Sequence, residues 1–320
     1  MNTPHDRLFR GIFSKPRHAR ALLQAVLPSS LSRQLDLRRL RIEQRTYIDE
    51  HLREQITDLL ILVRLGDHEA YIYVLLEHQS TVQALMPVRI LGYLSAIWKQ
   101  HLAEHPQASR VPMIVPVVMY HGAAAWSAPI SMDSVYECSA EALAAVAEQV
   151  PRYSFLLADL LPEDDEALWR RVEGMVPQVI LWALTFARRE PDLLAAMNRD
   201  IGALLAALAE APSSVAALGM LFTYTMRVAR IERERLARFL ETEISPMAQQ
   251  VFTNTYDEIV YESRRQVDRE RLIGLLKRRF GAVSPEAKDR IMAAEQTELD
   301  AWYKRLFDAD SVAVLLGSEP

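Results

Sequence analysis

Three residues of this chain have types and spacing that suit metal chemistry: Asp58, Glu77 and Gln79. Asp58 opens an apolar run, Thr57–Arg64, and Glu77 and Gln79 close a second, Tyr71–Gln79, with Gly66-Asp67-His68-Glu69 between them. Both runs are rich in β-branched and aromatic residues and are predicted to pair as a hairpin. If Leu65 faces Ala70, or Gly66 faces Glu69, the register places Asp58 directly across from Glu77. Side chains directly opposed in an antiparallel pair lie roughly 5 Å apart at Cβ, and Gln79 returns to the same face two residues on.

Two carboxylates and an amide would then converge among near-continuous apolar residues, where an uncompensated acidic pair is costly. Such a pair binds a divalent cation, finds a basic partner, or raises one pKa. The alternative for the same residues is a solvated pair of strand-end carboxylates.

The remaining elements follow from periodicity. Helical spacing covers His5–Phe13 and His18–Val26, and Pro28-Ser29-Ser30 ends that opening. Leu37–Ile48 alternates and is predicted to be an edge strand, Ala84–Leu102 a helix covering one sheet face, and Val111–Tyr120 a further strand followed by the His121-Gly122 turn. A strand reached through a crossover helix is usually parallel to one already in the sheet. The expected fold class is therefore α/β, a mixed sheet flanked by helices.

From Pro162 onward strand signals vanish, and Ala167–Arg189, Asp192–Glu210, Ser214–Glu241, Ala248–Val267 and Arg269–Phe280 all read as helical, an all-α second half. Gly281 is a helix stop and Ser284-Pro285-Glu286 a helix start. The alternating charges of Val228–Glu243 read as a solvated helix face. The expected divisions are 1–135, 160–267 and 268–320.

At 320 residues, half apolar and a quarter charged, the composition is globular. The start Met1–Asp6 lacks an apolar signal core and no uninterrupted apolar run approaches the about 18 residues of a membrane span, so the expected location is cytoplasmic, with no membrane partner. Cys138 is the sole cysteine, which excludes a disulfide framework and a cysteine zinc site; it is expected to be a small buried hydrophobe.

The net charge of −5 argues against a uniformly basic nucleic-acid binder, yet the first 45 residues are crowded with cations, Arg38, Arg39, Arg41 and Arg45 among them. A basic segment beside a metal-carboxylate site suits a phosphate-backbone substrate, because neutralising phosphates releases counterions. The plain alternative is a solvated helix face.

Several of these residues carry a family resemblance: His5-Asp6 with Phe9, Asp58, Glu77-His78-Gln79-Ser80, Met86-Pro87 with Arg89 and Tyr93, and Tyr120-His121-Gly122 with Trp126. Over roughly residues 4 to 130 the chain resembles the recombination-promoting nuclease (YhgA-like transposase) family of the PD-(D/E)XK nuclease superfamily. Arg278-Arg279-Phe280-Gly281 and Trp302 resemble the short helical extension of many members.

The resemblance implies a restriction-endonuclease-like core and a Mg²⁺- or Mn²⁺-dependent DNA endonuclease that promotes recombination. Asp58 and Glu77 would bind the metal, Asp6 would add an acidic group, and Gln79 stands where most superfamily members have lysine. An amide can orient a water but supplies no charge, so activity would lean harder on the metal. Arg89, with Arg41 and Arg45, would meet substrate, whereas Tyr93 reads as core, and His5 and His78 as supporting or packing residues. The helical half would supply homo-oligomerisation, DNA grip or a partner surface. The rival readings are a catalytically inactive nuclease-fold protein that binds DNA or scaffolds a complex, and a metal-dependent hydrolase of another phosphoester.

Overall fold

The computed structural model describes residues 3–43, 59–66, 68–77, 83–122, 125–160 and 167–317, with the backbone alone at 75–77 and 263. The chain divides into two compact units, Met1–Val251 and Phe252–Pro320.

Strands β1 (Arg41–Glu43), β2 (Leu59–Leu65), β3 (His68–Glu77), β4 (Met113–Tyr120) and β5 (Leu156–Asp159) form one mixed sheet in the order β1-β2-β3-β4-β5. The first three are antiparallel, and β3-β4 and β4-β5 are parallel. The β3–β4 crossover contains α3 (Met86–Glu104), whose Met86, Ile90, Tyr93, Leu94 and Ile97 pack with Tyr73 and Val118 of the sheet. On the alternate positions Ile61, Val63, Ile72, Val74, Val117 and Met119 are also fully buried, so both faces are covered. This explains the near-continuous apolar reading of β2 and β3. Pro116 interrupts no pairing with β5, which engages only Val117–Tyr120, and a strand tolerates proline where it has one neighbour.

In the same unit α1 (Pro4–Phe13) packs on α4 (Met175–Phe186) and α6 (Val215–Ala229), with α2 (Pro16–Val26) and α5 (Leu193–Ala209) completing a helical layer. Leu8, Phe9, Ile12 and Phe13 of α1 are buried, as their spacing predicts. In the second unit α7 (Pro246–Phe280, shared with the first), α8 (Pro285–Ala293), α9 (Gln296–Arg305) and α10 (Val312–Leu316) enclose Leu272, Leu276, Ile291, Leu299, Trp302 and Leu306. Buried Arg269 donates to the Ala294 carbonyl there. Among the described residues no single helix is long and apolar enough to cross a membrane.

The element order and the edge position of β1 agree with expectation, as do the stop at Gly281 and the cap at Ser284, whose hydroxyl accepts from the Ala287 N–H. Several details differ. The stretch predicted as one strand from Leu37 contains a 3₁₀ turn, Leu37–Arg39, before β1, with Asp36 accepting from the Arg38 N–H; residues 44–48 lie outside the described residues. The helix expected over Ala167–Arg189 breaks before α4, and that over Ser214–Glu241 breaks at Arg230, whose backbone is left-handed. Ala248–Phe280, read as two helices, is one. Cys138 is exposed rather than buried, on a segment contributing little to the core. β5 had no counterpart in the expectation.

The hairpin register also needs correction. Leu65 pairs with His68 and Leu59 with Val74, so the ladder is displaced by two residues from the one expected. An even displacement keeps each side chain on its face. Asp58, expected opposite Glu77, lies outside the described residues. The cause of the displacement is local: Gly66 adopts φ +58°, which lets the chain reverse at once after Leu65 instead of continuing the strand.

Gly66→Val should therefore lose about 1–2 kcal/mol of stability in urea unfolding, from the left-handed backbone penalty. An unchanged midpoint would contradict this turn.

Candidate functional site

The C-terminal ends of the parallel strands form one row. Glu77, the last residue of β3, is the Cα partner of Tyr120 on β4, and Tyr120 is the partner of Asp159 on β5. Ends of parallel strands are where open α/β sheets place ligands, because helices cover the faces and leave the edge accessible.

Beyond Tyr120 the Tyr-His-Gly motif acquires a physical reading. A Cβ on Gly122 would collide with the Tyr120 ring, so only glycine allows the backbone to pass that phenol. The Arg189 guanidinium donates to the Gly122 carbonyl, and the Trp126 N–H donates to Asp159 Oδ2 at 3.2 Å. The Tyr120 and Trp126 rings meet edge to face, with centroids 5.1 Å apart.

His121 is buried, and its ring lies 4.7 Å from that of His5 near the start of α1. His5 in turn shares a 2.8 Å hydrogen bond between Nδ1 and the hydroxyl of Tyr224 on α6. Burial pushes the Tyr224 phenol far above its ordinary value, partly offset by the Arg188 charge, so it stays protonated. The start of α1 is thereby fixed beside the end of β4, next to the Glu77 row.

Asp6 is buried and closes a capping box: its Oδ2 accepts from the Thr3 N–H at 2.8 Å and its own N–H donates to Thr3 Oγ1 at 3.3 Å. The helix-capping role thus occupies one oxygen of this carboxylate. Arg89 donates from Nε to the Tyr93 hydroxyl at 2.8 Å and from Nη1 to Gln83 Oε1 at 3.2 Å. Tyr93 is core, 5.7 Å from Tyr73 centroid to centroid. Arg41 is exposed on β1, 3.9 Å from Glu69. Asp58, Gln79, His78 and Arg45 lie outside the described residues, and Glu77 is placed by its backbone. Among the described residues no group of three His, Cys, Asp or Glu is arranged to hold a metal ion.

Residues 3–214 match the family described as "Putative transposase, YhgA-like". The chain belongs to that family. It is 29% identical over 250 residues to the inactive recombination-promoting nuclease-like protein RpnE of Escherichia coli K12, covering 77% of this chain and 78% of that one. It is 28% identical over 214 residues to the recombination-promoting nuclease RpnD of Escherichia coli O157:H7, covering 62% and 80% respectively. A shorter match, 37% over 121 residues, joins it to the recombination-promoting nuclease RpnA of Escherichia coli K12, covering 38% and 41%. No solved structure matches at a significant level.

Sequence reasoning had no route to Asp159 or Tyr224. Asp159 ends a four-residue strand without a long apolar run, and Tyr224 meets His5 across 219 residues, with only the helical spacing of α6 to suggest that it faces inward.

Tyr224→Phe should cost about 1–2 kcal/mol in urea unfolding, by leaving the buried His5 nitrogen without that hydroxyl. A midpoint equal to wild type would show that the bond contributes nothing net.

Proposed function

We propose that this member of the YhgA-like family is a divalent-metal-dependent DNA endonuclease that promotes recombination by hydrolysing phosphodiester bonds. The observation that carries the reading is the location of Glu77. It ends a strand paired on both sides, beside the Tyr120-His121-Gly122 turn and the start of α1, in a chain whose relatives include proteins named as recombination-promoting nucleases.

The donor set suits a hard cation, since Asp58, Glu77 and Asp6 supply carboxylate oxygens and none of the three is a soft ligand. In this reading Asp58 and Glu77 hold Mg²⁺ or Mn²⁺, and Asp6 contributes the carboxylate oxygen outside its capping box. The ion, when bound, acts as a Lewis acid on the phosphate and lowers the pKa of water.

The chain's own groups do the rest. The Gln79 amide orients the attacking water without adding charge, Arg89 is braced by Tyr93 to meet a phosphate oxygen, and Arg41 and Arg45 seat the backbone. The helical half serves assembly through a second copy.

A second reading is favoured by one finding: a relative matching 77% of this chain is named inactive. On that reading the same core binds DNA or a partner without cleaving it.

Plasmid nicking separates the two. The purified wild type should nick supercoiled DNA only with Mg²⁺ or Mn²⁺, Asp58→Ala and Glu77→Ala should each lose at least about 100-fold in rate while retaining the fold, and Gln79→Lys should maintain or raise it. Unchanged cleavage by either alanine variant defeats the assignment, and no cleavage by wild type favours the inactive reading.

A further inference from the structure

The last turn of α3 reads His101-Leu102-Ala103-Glu104-His105, with His105 as the C-cap. Side chains four positions apart share a helix face, and histidines so spaced are one means by which helices hold zinc. We propose that His101 and His105 form a binding site for a borderline transition-metal ion such as Zn²⁺. The site is separate from the carboxylates proposed for Mg²⁺ or Mn²⁺ and prefers a different metal.

The cap geometry preserves the spacing. Although His105 leaves the helical region of the backbone, its N–H still donates to the His101 carbonyl at 2.9 Å, so it stays one turn beyond His101. The two rings stack, with centroids 4.4 Å apart and planes 25° from parallel. A tetrahedral ion about 2.0–2.1 Å from each nitrogen needs the two nitrogens about 3.3 Å apart, which the rings reach by tilting together through about 1 Å.

The tautomer of His105 is already fixed. Its Nδ1 lies 2.9 Å from the His101 carbonyl oxygen, which only accepts, so Nδ1 carries the proton and Nε2 of the neutral ring keeps its lone pair. A carbonyl behind one ring nitrogen is the usual support of a metal-binding histidine. Nδ1 of His101 is buried and has no hydrogen-bond partner among the described residues. No bond at that atom holds the ring against turning about Cβ–Cγ to share an ion with His105.

The local field suits a cation, because a helix C-terminus carries partial negative charge. Burial first, and then the charges of Glu43, Glu69 and Glu104, push the Tyr71 phenol up against the opposing charge of Arg41, so carboxylates outweigh the cation near this end of α3. Lys99, two positions before His101, projects from the other side of the helix. Imidazole selects Zn²⁺, Cu²⁺ or Ni²⁺ over the oxygen-seeking Mg²⁺.

Among the described residues no third His, Cys, Asp or Glu joins the pair, and the Glu104 carboxylate accepts from Gln100 Nε2 at 2.6 Å. Catalytic zinc takes three protein ligands, so two histidines with water make a binding site and not a hydrolytic centre.

The test is calorimetric titration of Zn²⁺ alone into the full chain, with Glu77→Ala in every protein so that the carboxylate site does not contribute. This parent should bind one Zn²⁺ that excess Mg²⁺ does not displace, and His101→Ala or His105→Ala should each weaken it at least about tenfold with an unchanged circular dichroism spectrum. Leu102 is exposed, so His101→Ala/Leu102→His restores a pair three positions apart and should recover most of the affinity. His101→Ala/Ala103→His, with its pair on opposite sides of the helix, should not. Absence of Zn²⁺ binding would overturn the proposal, as would displacement by Mg²⁺, equal affinity in the His101→Ala/His105→Ala variant, or equal recovery by both relocated histidines. None of these readouts depends on DNA cleavage, so they stand apart from the endonuclease reading.

Discussion

Strand β3 is paired on both sides, and the geometry of the candidate site hangs on that pairing. Held antiparallel by β2 and parallel by β4, with both faces buried, this strand cannot slip by one residue without carrying its apolar side chains to the wrong face. That locks Glu77 beside Tyr120, and Tyr120 beside Asp159. The turn after β4, the histidine contact to α1 and the tryptophan contact to β5 all follow from that alignment.

The helical half is structurally continuous with this strand end. Tyr224 lies beyond the residues matched by the family, yet its hydroxyl reaches His5 near the start of α1, and His5 packs on His121. Buried polar groups of this kind are costly unless satisfied, so their mutual contacts specify one arrangement of α1 against the sheet. The capping box at Thr3 and Asp6 reinforces the same placement by consuming the first N–H groups of α1.

Much of this architecture was legible in the residues. Periodicities of helix and strand identified α1, α2, α3, β2, β3 and β4, because each buries a broad apolar face that repeats over two turns or more, or over several strand pairs. Gly281 and Ser284-Pro285 behaved as their local chemistry dictates. The register of the hairpin was not legible, since it turned on whether Gly66 took a left-handed backbone, and apolar residues two apart look alike from either register. β5 was too short to show a pattern. The break at Arg230 left no signal because non-glycine residues seldom adopt that conformation. Of the site, the core burial of Tyr93 agrees with its reading from sequence, whereas the capping box of Asp6 and the link from His5 to Tyr224 are contacts that the sequence reading did not announce.

The proposed endonuclease requires the carboxylates of Asp58 and Glu77 to share one divalent ion. A crystal structure of the protein grown with Mn²⁺, with anomalous data collected at the manganese edge, would show this without recourse to activity. A single strong peak bridging oxygens of both residues at about 2.1–2.3 Å, a hard cation's coordination distance, is expected. Clear density for both side chains with no peak between them, or a peak held by other residues, would contradict it.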